Sequence, residues 1–492
     1  MTTGDGPSVL IATPEMVPLA STGGLGDVVG GLAPALAKLG CRVSVALPSY
    51  RSVRDAHETR AVARNVPVRL AFEEHRVDFE RLVIEDDTPV YLVRNDRFFD
   101  RGGLYSDIHG LFGDNHLRYM LFSRAVCAMC QTAAPPPDVI LANDWQTGLT
   151  MALLDYGFLP RTAGVFTIHN LGYLGLVSAP DAGWIDLPNR YLGMDGLEFW
   201  GSFSLIKAGI AYADAVVTVS PTYAREIRTP EQGAGLDGLL RSRGNELFGI
   251  LNGMDMDRWN PATDKALAAN YSPEDLAGKR RCKLDLLKST GLPEALADRP
   301  LLGLVSRLVT QKGMDLLAMA LPGLLDAGMG MVLLGDGDPR FHAWFSDIAA
   351  RFPGRFALHL GFDPVLARKV FAGADIFVMP SLYEPCGLAQ MYAMRYGTIP
   401  VVRATGGLSD TVLDTARGAP VRTGFVFEGY SSADLADAVK RAAEAYGDPR
   451  DFRNLMLRAM SASEAFTWEN SARQYMAVFE RAVSRRRGGD NP

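Results

Sequence analysis

No apolar run in this 492-residue chain reaches the length needed to span a bilayer. The N-terminal stretch lacks the basic flank, apolar core and small-residue cleavage site of an export signal. Together these absences predict a cytoplasmic protein without a membrane partner. An excess of positive charge is missing too. Fifty Lys and Arg stand against 56 Asp and Glu, a net charge of −6, which argues against a nucleic-acid surface. Cysteine is sparse, odd in number at five, and scattered. Cys127 and Cys130 form a Cys-x-x-Cys, but within the helical-looking run Tyr119–Cys130 and with no second pair elsewhere. A zinc site needs four ligands and a redox motif needs a strand–loop–helix setting, so these two read as buried helix cysteines. A dinucleotide fingerprint is also incomplete. Gly24-Leu25-Gly26 is followed by Asp27-Val28-Val29, without the third small residue, and the next strand ends in Leu47-Pro48 with no acid to hold a ribose. That argues against a dehydrogenase.

What remains is a globular composition, 48% hydrophobic and 22% charged, in a chain too long for one ordinary core. Two domains are expected, 1–255 and 256–465, with a last helix over 466–485. In the first, Val9–Ala12 reads as a buried strand, Thr22-Gly23-Gly24-Leu25 opens a helix to Leu39, and Cys41–Leu47 is the next strand. Glycines at the first turn of such a βαβ unit suit a phosphate or sugar at the helix start. Alternation over 51–110 predicts a β-rich insertion lying over the N-terminal sheet. Asp114-Asn115 opens a helix, which Pro135-Pro136-Pro137 ends. Strands at 139–142 and 164–168 then deliver Asp144-Trp145 and His169-Asn170 to one sheet edge, and a third at 215–219 ends at Ser220-Pro221. An acid, a histidine and a glycine-rich helix start converging on one edge mark a candidate site.

The second half centres on residues 377–412. The run Ile376–Met379 is a buried strand stopped by Pro380, followed by a polar loop with Glu384 and by Gly387, which opens a helix to about Tyr396. Glu384 is thereby expected at a helix N-terminus. Pro400–Val402 forms a second strand and Thr405-Gly406-Gly407 leads into a second helix, so two loops lie side by side where open α/β sheets bind ligands. The octapeptide at 405–412 nearly repeats that at 22–29, which predicts two Rossmann-like domains built on one device. Upstream, the strand at 301–305 ends in a loop carrying Arg307 and, five positions on, Lys312, a pair able to converge on a diphosphate. Asp336-Gly337-Asp338-Pro339 reads as a strand-to-helix turn rather than a metal site. The late strand 424–427, a helix at 432–446 and a last helix from Thr467-Trp468 to about Ser484 complete the chain. Residues 1–7 and the tail from Arg485 on are expected to be unstructured.

The segment Glu-Pro-Cys-Gly-Leu at 384–388, with Gly-Thr-Ile-Pro at 397–400 and Thr-Gly-Gly-Leu at 405–408, resembles the nucleotide-sugar end of bacterial glycogen synthases and plant starch synthases. The resemblance extends over nearly the whole chain, through residues 114–125, 143–149, 167–175, 205–227, 249–255 and 306–316, and is weakest over 51–110 and 265–300. It implies the GT-B arrangement, two Rossmann-like doubly wound α/β domains facing across a deep cleft, with the last helix, 466–485, crossing back to pack on the N-terminal domain. It also implies transfer of α-glucose from ADP-glucose to the non-reducing 4-hydroxyl of an α-1,4-glucan, with retention and without a metal or other cofactor. In that reading Arg307 and Lys312 clamp the diphosphate. Glu384 accepts from glucosyl hydroxyls, and the N–H groups of Cys386, Gly387 and Leu388 donate to the sugar. Ser21, Gly23, Gly24, Thr405, Gly406 and Gly407 complete the donor surface. His169 and Asn252 line the glucose and phosphate pocket, while Glu15, Asp27 and Asp144 face the sugar and acceptor.

The chain departs from the family pattern at three places. Ser21 stands where the family's Lys-Thr-Gly-Gly-Leu has its lysine, Gln146 where a histidine commonly follows Asp-Trp, and Leu174 at the Gln of Tyr-Gln-Gly. The first removes a cation from beside the donor phosphates. Two alternatives therefore stay open. One is a retaining glycosyltransferase with another nucleotide sugar or a small acceptor; the other is a weakly catalytic, glucan-binding or regulatory paralogue.

Overall fold

The structure is a computed structural model and describes residues 6–84 and 88–488. It divides into two compact units. The first holds the residues up to Gly253 together with those from Trp468 on, and the second spans Met254–Thr467.

Among the described residues of the first unit, nine strands form one sheet. They are β1 (Ser8–Ala12), β2 (Arg42–Pro48), β3 (Arg60–Leu70), β4 (Glu73–Val83), β5 (Pro89–Arg94), β6 (Val139–Asn143), β7 (Ala163–Ile168), β8 (Ala215–Thr218) and β9 (Leu247–Gly249). Their spatial order is β9-β8-β7-β6-β1-β2-β5-β4-β3. From β9 across to β5 every pairing is parallel. The runs Val9–Ala12 and Val139–Ala142 are apolar without alternation because both faces of a parallel sheet are covered. The chain steps from β1 outward to β2, then returns to the other side of β1 as β6. That reversal is a topological switch point, where the loops after β1 and β6 diverge and leave a crevice.

The second unit repeats the plan with six parallel strands: β10 (Leu301–Val305), β11 (Gly330–Gly335), β12 (Phe356–Leu360), β13 (Ile376–Met379), β14 (Ile399–Arg403) and β15 (Phe425–Phe427). The order β12-β11-β10-β13-β14-β15 places its switch point between β10 and β13. The loops following those two strands carry Arg307, Lys312 and Glu384.

The insertion does not lie over the first sheet. After a short helix, Arg51–Ala56, the long antiparallel strands β3 and β4 join through β5 to the edge of that sheet and extend it. Its alternation reflects one covered and one open face, which a sheet extension satisfies as well as a separate layer. The arginine-rich tail is also ordered further than composition suggests. The last helix runs Trp468–Gly488, and Arg486 and Arg487 pair with Asp214 and Asp138 at 3.4 and 2.5 Å. Of the N-terminal residues expected to fray, Gly6 donates its N–H to the Gly40 carbonyl at 3.2 Å, while residues 1–5 and 489–492 lie outside the described residues.

The last helix packs on the first one, Gly24–Lys38, and buries Ala472, Tyr475, Val478, Phe479 and Ala482. Contact is close enough that a Cβ on Gly31 would sit 2.0 Å from Trp468 Nε1.

Candidate active site

In the first unit the site builds on the ends of β1, β6 and β7. Asp144 directly follows β6 and is held at φ +56°, a left-handed conformation that a non-glycine residue adopts at a cost. It precedes the helix Trp145–Tyr156 but does not cap it. Its carboxylate instead accepts from the His169 and Asn170 N–H groups at 2.7 and 3.4 Å, which locks the end of β7 to the end of β6. The His169 ring nitrogen Nε2 lies 2.9 Å from Asn143 Oδ1, and Asn143 in turn donates to the Ala12 carbonyl on β1. Burial pushes the Asp144 carboxyl up to about 7, against its two backbone donors and with help from the negative charge of Glu15. Burial pushes His169 down to about 3, so the imidazole is neutral at physiological pH.

Glu15 is buried in the loop after β1. Its carboxylate accepts from the Thr22 N–H at 2.6 Å, the Thr22 hydroxyl at 2.9 Å and the Tyr105 hydroxyl at 2.7 Å. This ties the loop back to the glycine-rich helix start. Ser21 is exposed beside it and donates to the Gly23 carbonyl. Gly23 and Gly24 are exposed, and a Cβ on either would meet nothing within 4 Å. Asp27 lies half-buried in the first turns of that helix, and Asn252 is buried beyond β9.

In the second unit the loops after β10 and β13 enclose a cavity of about 200 Å³ lined by Arg307, Lys312, Ser381, Gly387 and Leu388. Arg307 is exposed. Lys312 Nζ donates to Glu384 Oε2 at 2.6 Å, and the Ser381 hydroxyl donates to the same oxygen at 3.1 Å. The helix that Gly387 opens, expected from Leu388, begins at Ala389 with Leu388 as its N-cap, and Glu384, five positions before it, is held by an ammonium and a hydroxyl rather than as a helix-terminal acid. Backbone packing fixes the loops. Gly313, at φ +70°, has the Pro380 carbonyl 1.9 Å from an ideal Cβ position, and the Leu382 N–H donates to the Gln311 carbonyl. Gly406, at φ +44°, would place a Cβ 1.9 Å from the Glu384 carbonyl, and one on Gly407 would meet the Cys386 carbonyl at 2.3 Å. Cys386 is buried between them, and Thr405 is buried ahead of the short helix Gly406–Thr411. Only glycine permits the two loops to touch here.

The structure thus gathers Glu15, Asp144 and His169 at one sheet edge, and Arg307, Lys312, Glu384, Cys386–Leu388 and Thr405–Gly407 at another. Asn143, Tyr105 and Ser381 support them without having been singled out from the sequence. Asn143 and Ser381 neighbour chosen residues, whereas Tyr105 sits in the insertion, where no motif signals it. Elsewhere, Asp336 meets His342 Nε2 at 3.0 Å and Asp338 caps the helix Pro339–Arg351 through the Arg340 N–H. Cys127 and Cys130 are buried in the helix Asn115–Thr132, which pushes both thiols up, Cys130 to about 12. Gln146 is buried, and Leu174 is half-buried with its carbonyl accepting from the Ser204 hydroxyl. No helix among the described residues is long and apolar enough to cross a membrane.

Comparison with known proteins agrees with this layout. Residues 8–242 match the family described as starch synthase catalytic domain, and residues 293–455 match glycosyl transferases group 1. The chain is 48% identical to a glycogen synthase of Desulfatibacillum aliphaticivorans over 97% of its own length and 99% of that protein. It is 43% identical to glycogen synthase 2 of Geobacter sulfurreducens over 98% of its length and 100% of that protein. Among solved structures, the catalytic domain of starch synthase IV from Arabidopsis thaliana, bound to ADP and acarbose, superposes with a TM-score of 0.89 at 35% identity. That match covers 98% of this chain and 100% of the other. With two Rossmann-like units of the GT-B class and these relatives along its length, the chain belongs to the glycogen and starch synthase family of glycosyltransferases.

Proposed function

We propose that this glycosyltransferase moves α-glucose from ADP-glucose to the non-reducing 4-hydroxyl of an α-1,4-glucan in the cytoplasm, with retention at the anomeric carbon. The observation that carries this reading is the cavity of the second unit, where Arg307 and Lys312 line one wall and Lys312 is bonded to Glu384. A starch synthase bound to ADP and acarbose shares the fold along the whole chain, which supports a nucleotide donor and a glucan acceptor.

In the proposed mechanism Arg307 and Lys312 meet the diphosphate and stabilise the charge that develops on it as the glycosidic bond breaks. Lys312 has three N–H groups and spends one on Glu384, which leaves donors for phosphate. Glu384 accepts from the glucosyl hydroxyls, and the backbone of Cys386–Leu388 and of Thr405–Gly407 approaches the donor closely. His169, held neutral, and Asn252 bind glucose and phosphate oxygens as hydrogen-bonding groups. Asp144, Asp27 and Glu15 orient the sugar and acceptor. Attack takes place on the face from which ADP leaves, with the departing phosphate receiving the acceptor's proton. No metal ion is required, because the charge stabilisation comes from side chains and backbone.

Transfer of labelled glucose to glycogen from a panel of nucleotide glucoses tests the proposal, with and without chelator. ADP-glucose is expected to be preferred, and chelator to leave the rate unchanged. Ser21 favours the second reading, a different donor, because it removes a cation from beside the Gly23-Gly24 helix start. Ser21 is exposed, so Ser21→Lys is sterically tolerated. If the donor is ADP-glucose, the lysine is expected to lower its KM by roughly tenfold, the worth of a partly exposed cation–phosphate contact. A chain that transfers from another nucleotide and ignores the substitution has a different donor. One inactive on every donor until the lysine is restored is the regulatory paralogue.

A further inference from the structure

We infer that the second unit carries a separate small-molecule site for an organic phosphate, at the edge of its sheet opposite the proposed donor loops. A cavity of about 850 Å³ opens there, within the usual size of metabolite pockets. Its lining includes Pro300, Met329 and Asp375, the residues immediately before β10, β11 and β13, and so lies at the amino ends of these strands. Arg307, Lys312 and Glu384 follow the carboxyl ends.

The charge on its walls is unbalanced. Two lysines on the helix Ala277–Ser289 form the floor and are fully engaged. Lys279 Nζ donates to the Tyr396 carbonyl at 3.0 Å and the Thr398 hydroxyl at 2.8 Å. Lys283 Nζ donates to Asp375 at 2.6 Å, to the Arg299 carbonyl at 2.7 Å and to the Tyr446 hydroxyl at 3.0 Å. Arg280 is matched by Asp298 at 2.9 Å. Two cations on the walls, Arg299 and Lys440, then face a single remaining carboxylate, Glu444. Neither their guanidinium nor their ammonium group has a hydrogen bond or ion pair among the described residues. A phosphate, with nearly two negative charges and oxygens that fit an arginine fork, matches that pair of cations better than a neutral sugar or a single carboxylate does. Pro300, Met329, Phe452 and Met456 supply apolar wall for the organic portion of the ligand.

The floor also explains how such a ligand would be felt. Asp375 Oδ2 accepts from the Leu301 N–H at 2.9 Å as well as from Lys283, and its carbonyl accepts from the Ile399 N–H at 2.9 Å. One aspartate therefore joins the starts of β10, β13 and β14, whose far ends carry the donor loops.

Calorimetric titration of the full chain with AMP, glucose 1-phosphate and inorganic phosphate tests the site. The comparison is among wild type, Arg299→Glu with Lys440→Glu, Ala443→Phe, and Arg307→Ala with Lys312→Ala. At least one organic phosphate is expected to bind wild type and the Arg307/Lys312 variant alike, and at least tenfold more weakly both the charge-reversed variant and Ala443→Phe, which narrows the cavity without changing charge. Inorganic phosphate is expected to bind more weakly than that ligand. Binding that disappears only with Arg307 and Lys312 would overturn the inference by assigning all phosphate affinity to the donor site. Loss on charge reversal with no loss in Ala443→Phe would overturn it equally, since the anion would then be held by the surface field and not in the cavity.

Discussion

The Lys312–Glu384 contact decides what substitution at either residue will do. Its two side chains are 18% and 6% exposed, so the pair is poorly screened and removing one member strands the other. If the proposed mechanism holds, Glu384→Ala removes an acceptor for the sugar but also releases Lys312 to the phosphates. Donor KM is therefore expected to hold or fall while turnover drops by about one to two orders of magnitude, the worth of a charged hydrogen bond of roughly 1.5–3 kcal/mol. Steady-state kinetics check this, and an unchanged turnover would remove Glu384 from the reaction. Asp144 and His169 offer a second test, in stability. The Asp144 carboxyl is raised from 3.8 to about 7, so its contribution is full below 3.8 and is lost as pH rises toward 7. His169 is lowered from 6.5 to about 3, so its contribution is present above 6.5 and is lost as pH falls toward 3. Between these limits the two slopes oppose, each at most about 1.4 kcal/mol per pH unit. Asp144→Asn is expected to make the first unit lose stability on acidification from pH 6.5 to 4 more steeply than wild type. His169→Gln is expected to make it gain stability over the same range. Thermal melts across that range measure both, and parallel profiles in all three proteins would show that the pair does not titrate as described.

The two Thr-Gly-Gly-Leu helix starts look alike as sequence and differ as structure. Gly406 has positive φ and no room, since a Cβ would strike the Glu384 carbonyl, so glycine there is demanded by the fold. Gly24 opens a helix with negative φ and open space around it, so nothing in the described protein demands glycine. On the proposed function, the donor approaching the backbone would demand it. Gly406→Ala is expected to cost about 1–3 kcal/mol in the second unit and to displace the Glu384 loop, which lowers turnover. Gly24→Ala is expected to leave stability unchanged or raise it by up to about 1 kcal/mol, while raising donor KM. Melting curves paired with kinetics distinguish the two cases, and an unaltered KM in Gly24→Ala would place the donor elsewhere. Sequence reading reached both helices because glycine after a buried strand is a local signal. It could not tell them apart, because the Glu384 carbonyl comes from another loop. The same limit hid Lys312 as the partner of Glu384, since the two lie 72 positions apart.

At the scale of the whole molecule, the buried strands were legible, because fully apolar runs such as Val139–Ala142 mark parallel strands wherever they fall, whereas the two switch points were not, because strand order is set by pairings remote in sequence. What was misread depended on partners remote in sequence. Arg485–Arg487 looked like a solvated tail until Asp214, Asp138 and the Thr162 carbonyl were brought beside it. Those contacts make the last helix an element of the first unit, although the entire second unit precedes it in the chain. The first unit therefore lacks part of its core until Trp468–Gly488 has been made. In the absence of Trp468–Gly488 it would expose the face that receives Tyr475 and Phe479, residues 2% and 0% exposed. Truncation of one large buried aromatic costs roughly 3–5 kcal/mol, and losing the whole helix approaches the roughly 5–15 kcal/mol that stabilises a typical domain. A chain ending at Thr467 is expected to leave the first unit open to limited proteolysis and the second as a resistant fragment. Tyr475→Ala with Phe479→Ala, in the full-length chain, is expected to lower only the melting transition of the first unit. If the truncated chain protected both units equally, the helix would be an accessory to the first unit rather than part of its core.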